Sequence, residues 1–341
     1  MPALFEASGA LPRDIGRRVR VGAVNNPLSG KNLQKGSMQT VLDVLAAHPE
    51  VLRHGAQTLE DIRRATVQLC REGVEVIAVN GGDGTVQAVL TGLFSEPHPA
   101  PLPLLLLLPG GTTNMIAMDI GVPKERPAET LERFLAGAKE GRVPADVVRR
   151  PVIRMQRAGK DPIYGMFFGA GAIYHGINFC RRWLYRVGLK GEIGPGVAMG
   201  VLIVQAALGK RDTLIPPLNA SGRIDDVPFE RKEYHAVMAS TLEHLFLGIR
   251  PFWGTGNGPL KYTGFVTSLR HPWRAAPSIL RGKVNRYVSA ENGYESCTAR
   301  DIELCIDSGF TLDGELFEPN PDLPVILNGD STASFLRLDR A

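Results

Sequence analysis

Two apolar runs, each breaking into a glycine turn that opens a helix, constrain this chain more than any other feature. Residues 75–80 (EVIAVN) end at Gly81-Gly82-Asp83-Gly84-Thr85, and residues 104–108 (LLLLL) end at Pro109-Gly110-Gly111-Thr112-Thr113-Asn114. A strand apolar on both faces belongs in the middle of a parallel sheet covered by helices. The first ~145 residues follow that alternation of strands and helices throughout. Residues 18–25 (RVRVGAVN) read as a strand, followed by a helix over about 33–47. A second helix spans 58–71, with Thr58 and Asp61 spaced as an N-terminal capping pair. Helices follow each glycine turn, over 86–94 and through Ile120, where Gly121-Val122-Pro123 ends the second one.

From Asp146 onward the pattern becomes alternating strand-like segments with glycine turns, such as 152–156, 234–240 and 301–306, around one helical stretch at 196–208. The expected fold class is therefore a doubly wound α/β domain followed by a second, β-rich antiparallel domain. The boundary falls near Arg142-Val143-Pro144, giving domains of 1–145 and 146–323. A chain of 341 residues accommodates two such cores.

Three turns carry the chemistry. Asn25-Asn26-Pro27-Leu28-Ser29-Gly30-Lys31 ends the first strand and offers a hydroxyl, close backbone approach and a cation, although NP and SG also mark ordinary turns. The Gly81–Thr85 turn lets backbone approach an anion unobstructed, and the helix behind it presents free N–H groups and a positive dipole end. An acid inside such a loop, Asp83, suits Mg²⁺ holding or proton transfer. The third turn, 109–114, repeats the strand–glycine–helix arrangement. Two such turns on adjacent parallel strands converge at the carboxyl edge of the sheet, where doubly wound folds bind ligands. Gly169-Ala170-Gly171 lacks a dinucleotide fingerprint and reads as a tight turn or a close strand approach.

In order and spacing, these turns resemble the diacylglycerol kinase catalytic-domain superfamily, which includes sphingosine and ceramide kinases. A late Leu312-Asp313-Gly314-Glu315 adds to the match, although DG alone is a common hairpin signal. The resemblance implies an α/β nucleotide-binding domain, a β-rich lipid domain, and a C-terminal tail, 324–341, returning to the first. It implies ATP contacts at Ser29, Gly30, Lys31, Asn32, Thr58, Gly81, Gly82, Asp83, Gly84, Thr85, Val86, Gln87, Gly111, Thr112 and Asn114. It further implies Glu315 as general base, Asp83 supporting Mg²⁺ or the proton transfer, and Asp146 and His175 facing the substrate. The implied reaction moves the γ-phosphoryl group of ATP to a lipid hydroxyl, chiefly by positioning and charge neutralisation.

The chain departs from the family's pattern in places. Gln87-Ala88 stand where Asn-Glu is common, Met115 replaces an acid of bacterial diacylglycerol kinases, and 253–262 (WGTGNGPLKY) lacks a metal-binding acid pair. These losses tilt the expected substrate toward a ceramide or sphingoid lipid over diacylglycerol, and leave the metal ligands unassigned. Two alternatives are an NAD-kinase-like enzyme for a soluble substrate and a catalytically inactive nucleotide- or lipid-binding protein.

Composition narrows the partners. Apolar residues are 44%, charged residues 22%, and the net charge of +4 does not suggest nucleic acid. Cys70, Cys180, Cys297 and Cys305 form no CxxC pair and read as buried reduced thiols of a cytoplasmic protein. Residues 1–11 show no secretory signal, and the apolar runs 102–108 and 197–208 fall short of the ~20 residues that span a bilayer. The basic segments 270–286, which contains no acid, and 181–186 suit peripheral attachment to an anionic membrane surface. Homo-oligomerisation is left open.

Overall fold

The computed structural model describes residues 19–30, 32–33, 36–97, 101–123, 125–141, 143–179 and 216–339. The chain forms two units, Met1–Arg150 with Thr332–Ala341, and Pro151–Ser331. The division falls at 150 rather than 145, and the tail rejoins the first unit from 332 rather than 324.

In the first unit, β1 (Val21–Asn25), α1 (Ser37–Ala47), β2 (Leu52–Arg53), α2 (Leu59–Arg71), β3 (Val76–Gly81), α3 (Asp83–Phe94), β4 (Leu104–Pro109), α4 (Met115–Ile120) and α5 (Pro127–Lys139) alternate. The strands pair in parallel, β2–β1–β3–β4, and Phe335 and Leu336 add a further parallel strand beside Leu105 and Leu106. One face of this sheet packs Val76, Ala78, Leu106 and Leu108 under Val41 and Leu45 of α1 and Leu131 and Phe134 of α5. On the alternate residues Ile77, Val79, Leu105 and Leu107 are also fully buried, and α2 and α3 contact β1 and β3. Each such leucine contributes about 1.5–3 kcal/mol on leaving water, which is why the LLLLL run takes the centre of the sheet.

Local signals explain the helix ends. Thr58 and Asp61 form a full capping box on α2, and Gly121, at φ 80°, ends α4 in the left-handed region. One expected boundary is corrected. The helix read from Val86 begins at Asp83, with Gly82 as its extended N-cap, so Asp83, Gly84 and Thr85 form the first helical turn and not a loop.

The second unit is antiparallel. Its strands are the latter part of β5 (Ala145–Arg157), then β6 (Ile163–Gly165), β7 (Phe167–Gly171), β8 (Leu218–Ile224), β9 (Val227–Ser240), β10 (Leu260–Val266), β11 (Tyr294–Ala299), β12 (Asp301–Ile306), β13 (Phe310–Leu312), β14 (Glu315–Phe317) and the start of β15 (Val325–Leu338). The long β9 organises them, pairing with β8 through its first half and with β7 and β10 through its second. Phe168, Tyr234, Val237, Leu304, Phe310 and Leu327 fill the core. Gly169-Ala170-Gly171 lies in β7, a strand approach as the pattern suggested.

Three α-helices of the described residues were not read from the sequence: α5, α6 (Ala172–Phe179) and α7 (Pro272–Ile279). The expected helix at 196–208, the basic stretch 181–186, and Cys180 lie outside the described residues. Cys70 is buried, but Cys297 and Cys305 are only half-buried, and all three are free thiols. No helix among the described residues is long and apolar enough to cross a membrane.

Candidate functional site

The carboxyl ends of β1, β3 and β4 bring three turns into contact. Gly110 donates its N–H to the Gly81 carbonyl at 2.9 Å, and Asn26 donates to the Asn80 carbonyl at 3.0 Å. A Cβ added to Gly82 would stand 2.9 Å from the Cα of Gly111 and 3.4 Å from Ser29 Oγ. The two glycine turns therefore touch backbone to backbone, which no larger residue permits at either position. Gly30 lies against Thr112, where a Cβ would meet the Thr112 backbone nitrogen at 3.2 Å as well as its hydroxyl. Ser29, Gly30, Gly82, Gly111 and Thr112 are thus gathered at one edge. The N-cap of α3 is a glycine with no side-chain acceptor, and the N-terminus of a helix suits an anion.

Asn114 fixes the third turn. Its side chain accepts from Gly111 N–H at 2.9 Å and donates to the Gly111 carbonyl at 2.7 Å, and its backbone is left-handed at φ 49°. Asn tolerates this region better than most side chains. Asn114 is therefore a buried buttress behind Gly111.

Asp83 does something the sequence did not foreshadow. Its two oxygens accept the N–H groups of Met115, at 3.0 Å, and Ile116, at 2.9 Å, capping α4 from the neighbouring helix. Burial pushes its pKa above the usual carboxylate value, while those two N–H groups pull the other way.

Several expected contacts sit elsewhere. Gln87 is fully buried and its amide has no partner, so a nucleotide has no exposed surface of it to touch. Thr85 is buried and its hydroxyl accepts from Asn26 Nδ2 at 2.9 Å, a bond between turns. Thr58 is occupied with the α2 cap: its hydroxyl accepts from Asp61 N–H at 3.1 Å and donates to Asp61 Oδ2 at 2.8 Å. Lys31 lies outside the described residues. Asp146 forms an ion pair with Arg337 at 2.5 Å. His175 lies half-buried on α6, its pKa lowered by burial, with its ring edge-on to Tyr174.

Sequence reasoning missed Asn26 and Asn80. Asn32 Nδ2 donates to the Asn26 carbonyl at 2.8 Å, while the side-chain oxygens of Asn32 and Asn80 are buried without partners beside Gly110. Their signal was available, since Asn26 directly follows β1 and Asn80 directly precedes the Gly81 that ends β3.

In the second unit Asp313 and Gly314, at φ 48° and 90°, make a two-residue hairpin turn between the paired Leu312 and Glu315. Asp313 is buried rather than solvated, and its oxygens accept the N–H groups of Met166, at 2.8 Å, and Phe167, at 2.9 Å. Glu315 leaves this pinned turn half-buried at the start of β14.

The first unit is by these features a doubly wound α/β domain with anion-suited turns at the carboxyl edge of its sheet. Residues 20–149 match the family model described as the diacylglycerol kinase catalytic domain. It is 33% identical over 125 residues to a diacylglycerol kinase of Bacillus subtilis (strain 168), a match covering 36% of this chain and 39% of that one. A diacylglycerol kinase of Staphylococcus saprophyticus is 28% identical over 109 residues, covering 32% and 35%. The sequence matches thus span well under half the length of these relatives. The crystal structure of a diacylglycerol kinase from Bacillus anthracis shares the fold, with a TM-score of 0.57 at 20% identity over 93% of this chain and 97% of that one.

Proposed function

We propose that the chain is an ATP-dependent lipid kinase, which moves the γ-phosphoryl group of ATP to the hydroxyl of a membrane lipid. The observation that carries this reading is the backbone contact of Gly82 and Gly111, which forms an anion cradle at the α3 N-terminus. Ser29, Gly30 and Thr112 flank it, and the family matches support nucleotide phosphate as the anion.

In this reading Glu315 takes the proton of the lipid hydroxyl. The resulting oxygen forms a bond to the γ-phosphorus, the bond from that phosphorus to the bridging oxygen breaks, and ADP leaves. The turn held by Asp313 keeps Glu315 at a set position in its own unit. Mg²⁺ supplies charge neutralisation in reactions of this class. The described residues contain no cluster of three ligating side chains, and Asp83 spends both oxygens on backbone N–H groups. Among the described residues, the acids do not by themselves build a Mg²⁺ site.

The acceptor is read as a ceramide or sphingoid lipid ahead of diacylglycerol, because Met115 replaces the family acid. The protein acts at the cytoplasmic membrane face as a peripheral protein. A second reading, an inactive nucleotide- or lipid-binding protein, draws on the engagement of Asp83 in helix capping.

Incubation with γ-labelled Mg-ATP and vesicles containing diacylglycerol, ceramide, sphingosine and monoacylglycerol tests the proposal. Label in one lipid, lost in Glu315→Gln with ATP binding retained, is the expected result. A phosphatidate product would overturn the ceramide preference. ATP binding without any labelled lipid would sink the kinase reading in favour of the binding protein.

A further inference from the structure

Helix α7 buries one face and turns a different chemistry outward. Ala275 and Ile279 join Val288 and Tyr294 in a small core. On the other side Trp273 is 57% exposed and Val284, just beyond the helix, 62% exposed. Arg250 donates its N–H to the Leu280 carbonyl at 3.0 Å, which ties the 245–250 loop to the end of this helix. That loop presents Leu247, 75% exposed and left-handed at φ 58°, a conformation a leucine rarely takes without a constraint.

The polar groups around these side chains are cationic. Arg270, Arg274, Arg281, Lys283 and Arg286 are all exposed, and among the described residues no carboxylate lies within ion-pair distance of them. Two of them converge. The guanidinium carbons of Arg274 and Arg286 stand 5.4 and 4.8 Å from the centroid of the Tyr287 ring, and both groups donate to its hydroxyl. The His271 ring is 5.2 Å from the same ring. Asn285 locks the arrangement, donating to the Arg274 carbonyl at 3.0 Å and to Ser278 Oγ at 2.8 Å, and accepting from Tyr287 N–H at 2.9 Å. Two guanidiniums prepositioned side by side without an acid match the fork geometry that recognises phosphate. Exposed tryptophan and aliphatic side chains beside them match the headgroup–acyl boundary of a bilayer, and are wasted on a fully polar polyanion.

We propose that this face of the second unit docks on an anionic lipid bilayer, seating a lipid phosphate between Arg274 and Arg286 while Trp273, Val284 and Leu247 enter the interface. The choice of a bilayer rests on the lipid-kinase reading; the binding itself does not require phosphoryl transfer.

The test uses the full chain and sedimentation with phosphatidylcholine vesicles, with and without added phosphatidylglycerol. Binding to the anionic vesicles alone, weakened by salt, is expected. At about 1 kcal/mol per basic side chain, R274Q/R286Q is expected to bind them roughly tenfold or more weakly. Tryptophan emission is expected to shift blue on vesicle addition in wild type and not in W273F, a readout that does not depend on the double variant folding. Equal binding by wild type and a folded R274Q/R286Q, equal binding to neutral and anionic vesicles, or an unshifted emission would each overturn the proposal. Tighter retention on duplex DNA than on anionic vesicles would overturn it in favour of nucleic acid. Phosphoryl transfer to detergent-dispersed lipid, measured on the same proteins, separates the two readings. Vesicle binding without transfer sinks the kinase alone, and transfer without vesicle binding sinks the docking face alone.

Discussion

The carboxylate of Asp83, at the start of one helix, accepts the backbone N–H of Ile116, near the start of the next, at 2.9 Å. The bond joins the two glycine turns from behind, since each turn leads into one of these helices. Asp83→Ala is therefore expected to cost about 0.5–2 kcal/mol, the range for losing a helix cap. Denaturant unfolding reads the cost, and faster amide exchange at Met115 and Ile116 locates it. Unchanged exchange at those two amides would remove Asp83 from this role.

Gly111→Ala tests the contact between the turns. Its Cβ would meet Gly82 backbone and also stand 2.8 Å from Asn114 Oδ1, neither of which can move far. Overpacking of this kind costs about 1–3 kcal/mol and is expected to spread the cradle. ATP titration by calorimetry is expected to show a loss of affinity larger than the loss of stability. Wild-type affinity in this variant would mean that the cradle does not hold the nucleotide.

Asp61 supplies a pH dependence. Hydrogen bonds led by the Thr58 hydroxyl pull its pKa from 3.8 to about 2. A depressed carboxylate contributes stability above its unfolded value and loses it as pH falls through the folded value. The stability difference between wild type and Asp61→Asn is thus expected to hold from neutrality to about pH 4 and to vanish on approaching about pH 2. Thermal unfolding across that window measures it, and a pH-independent difference would contradict the cap's ionic character.

Asp313→Ala removes the acceptor of two buried N–H groups. At about 1–3 kcal/mol for each orphaned group, a loss of ~2 kcal/mol or more is expected, against a change within ~1 kcal/mol for the exposed Asp146–Arg337 pair in Asp146→Asn. Chemical denaturation of the two variants side by side checks the ranking. A milder effect at Asp313 than at Asp146 would show the hairpin to be held by other contacts.

The parts of this protein readable in its sequence are those whose physics acts within a few residues. The LLLLL strand announces its burial, Thr58 and Asp61 stand three residues apart for a capping box, and Gly121 ends α4 as a glycine there should. The Asp313-Gly314 pair likewise carries its own turn chemistry, positive φ at both residues. Even the convergence of two glycine turns follows from adjacent parallel strands, because strand order and direction decide where their ends lie.

Tertiary structure decided what each polar side chain does. Asp83 reads as a metal or proton group in a loop, yet its partner Met115 lies 32 residues away and turns it into a cap. Asp313 answers to Met166, 147 residues distant. Asp146 is spent on Arg337, and Gln87 is buried on the inner face of α3. In the basic segment 270–286, Ile279 faces inward and Trp273 outward, a division that composition alone does not specify. A hydrogen-bond donor or an apolar pocket brought from a distant part of the chain leaves no trace in the local pattern. Side-chain roles therefore emerge only once the sheet has set which turns and helices are neighbours.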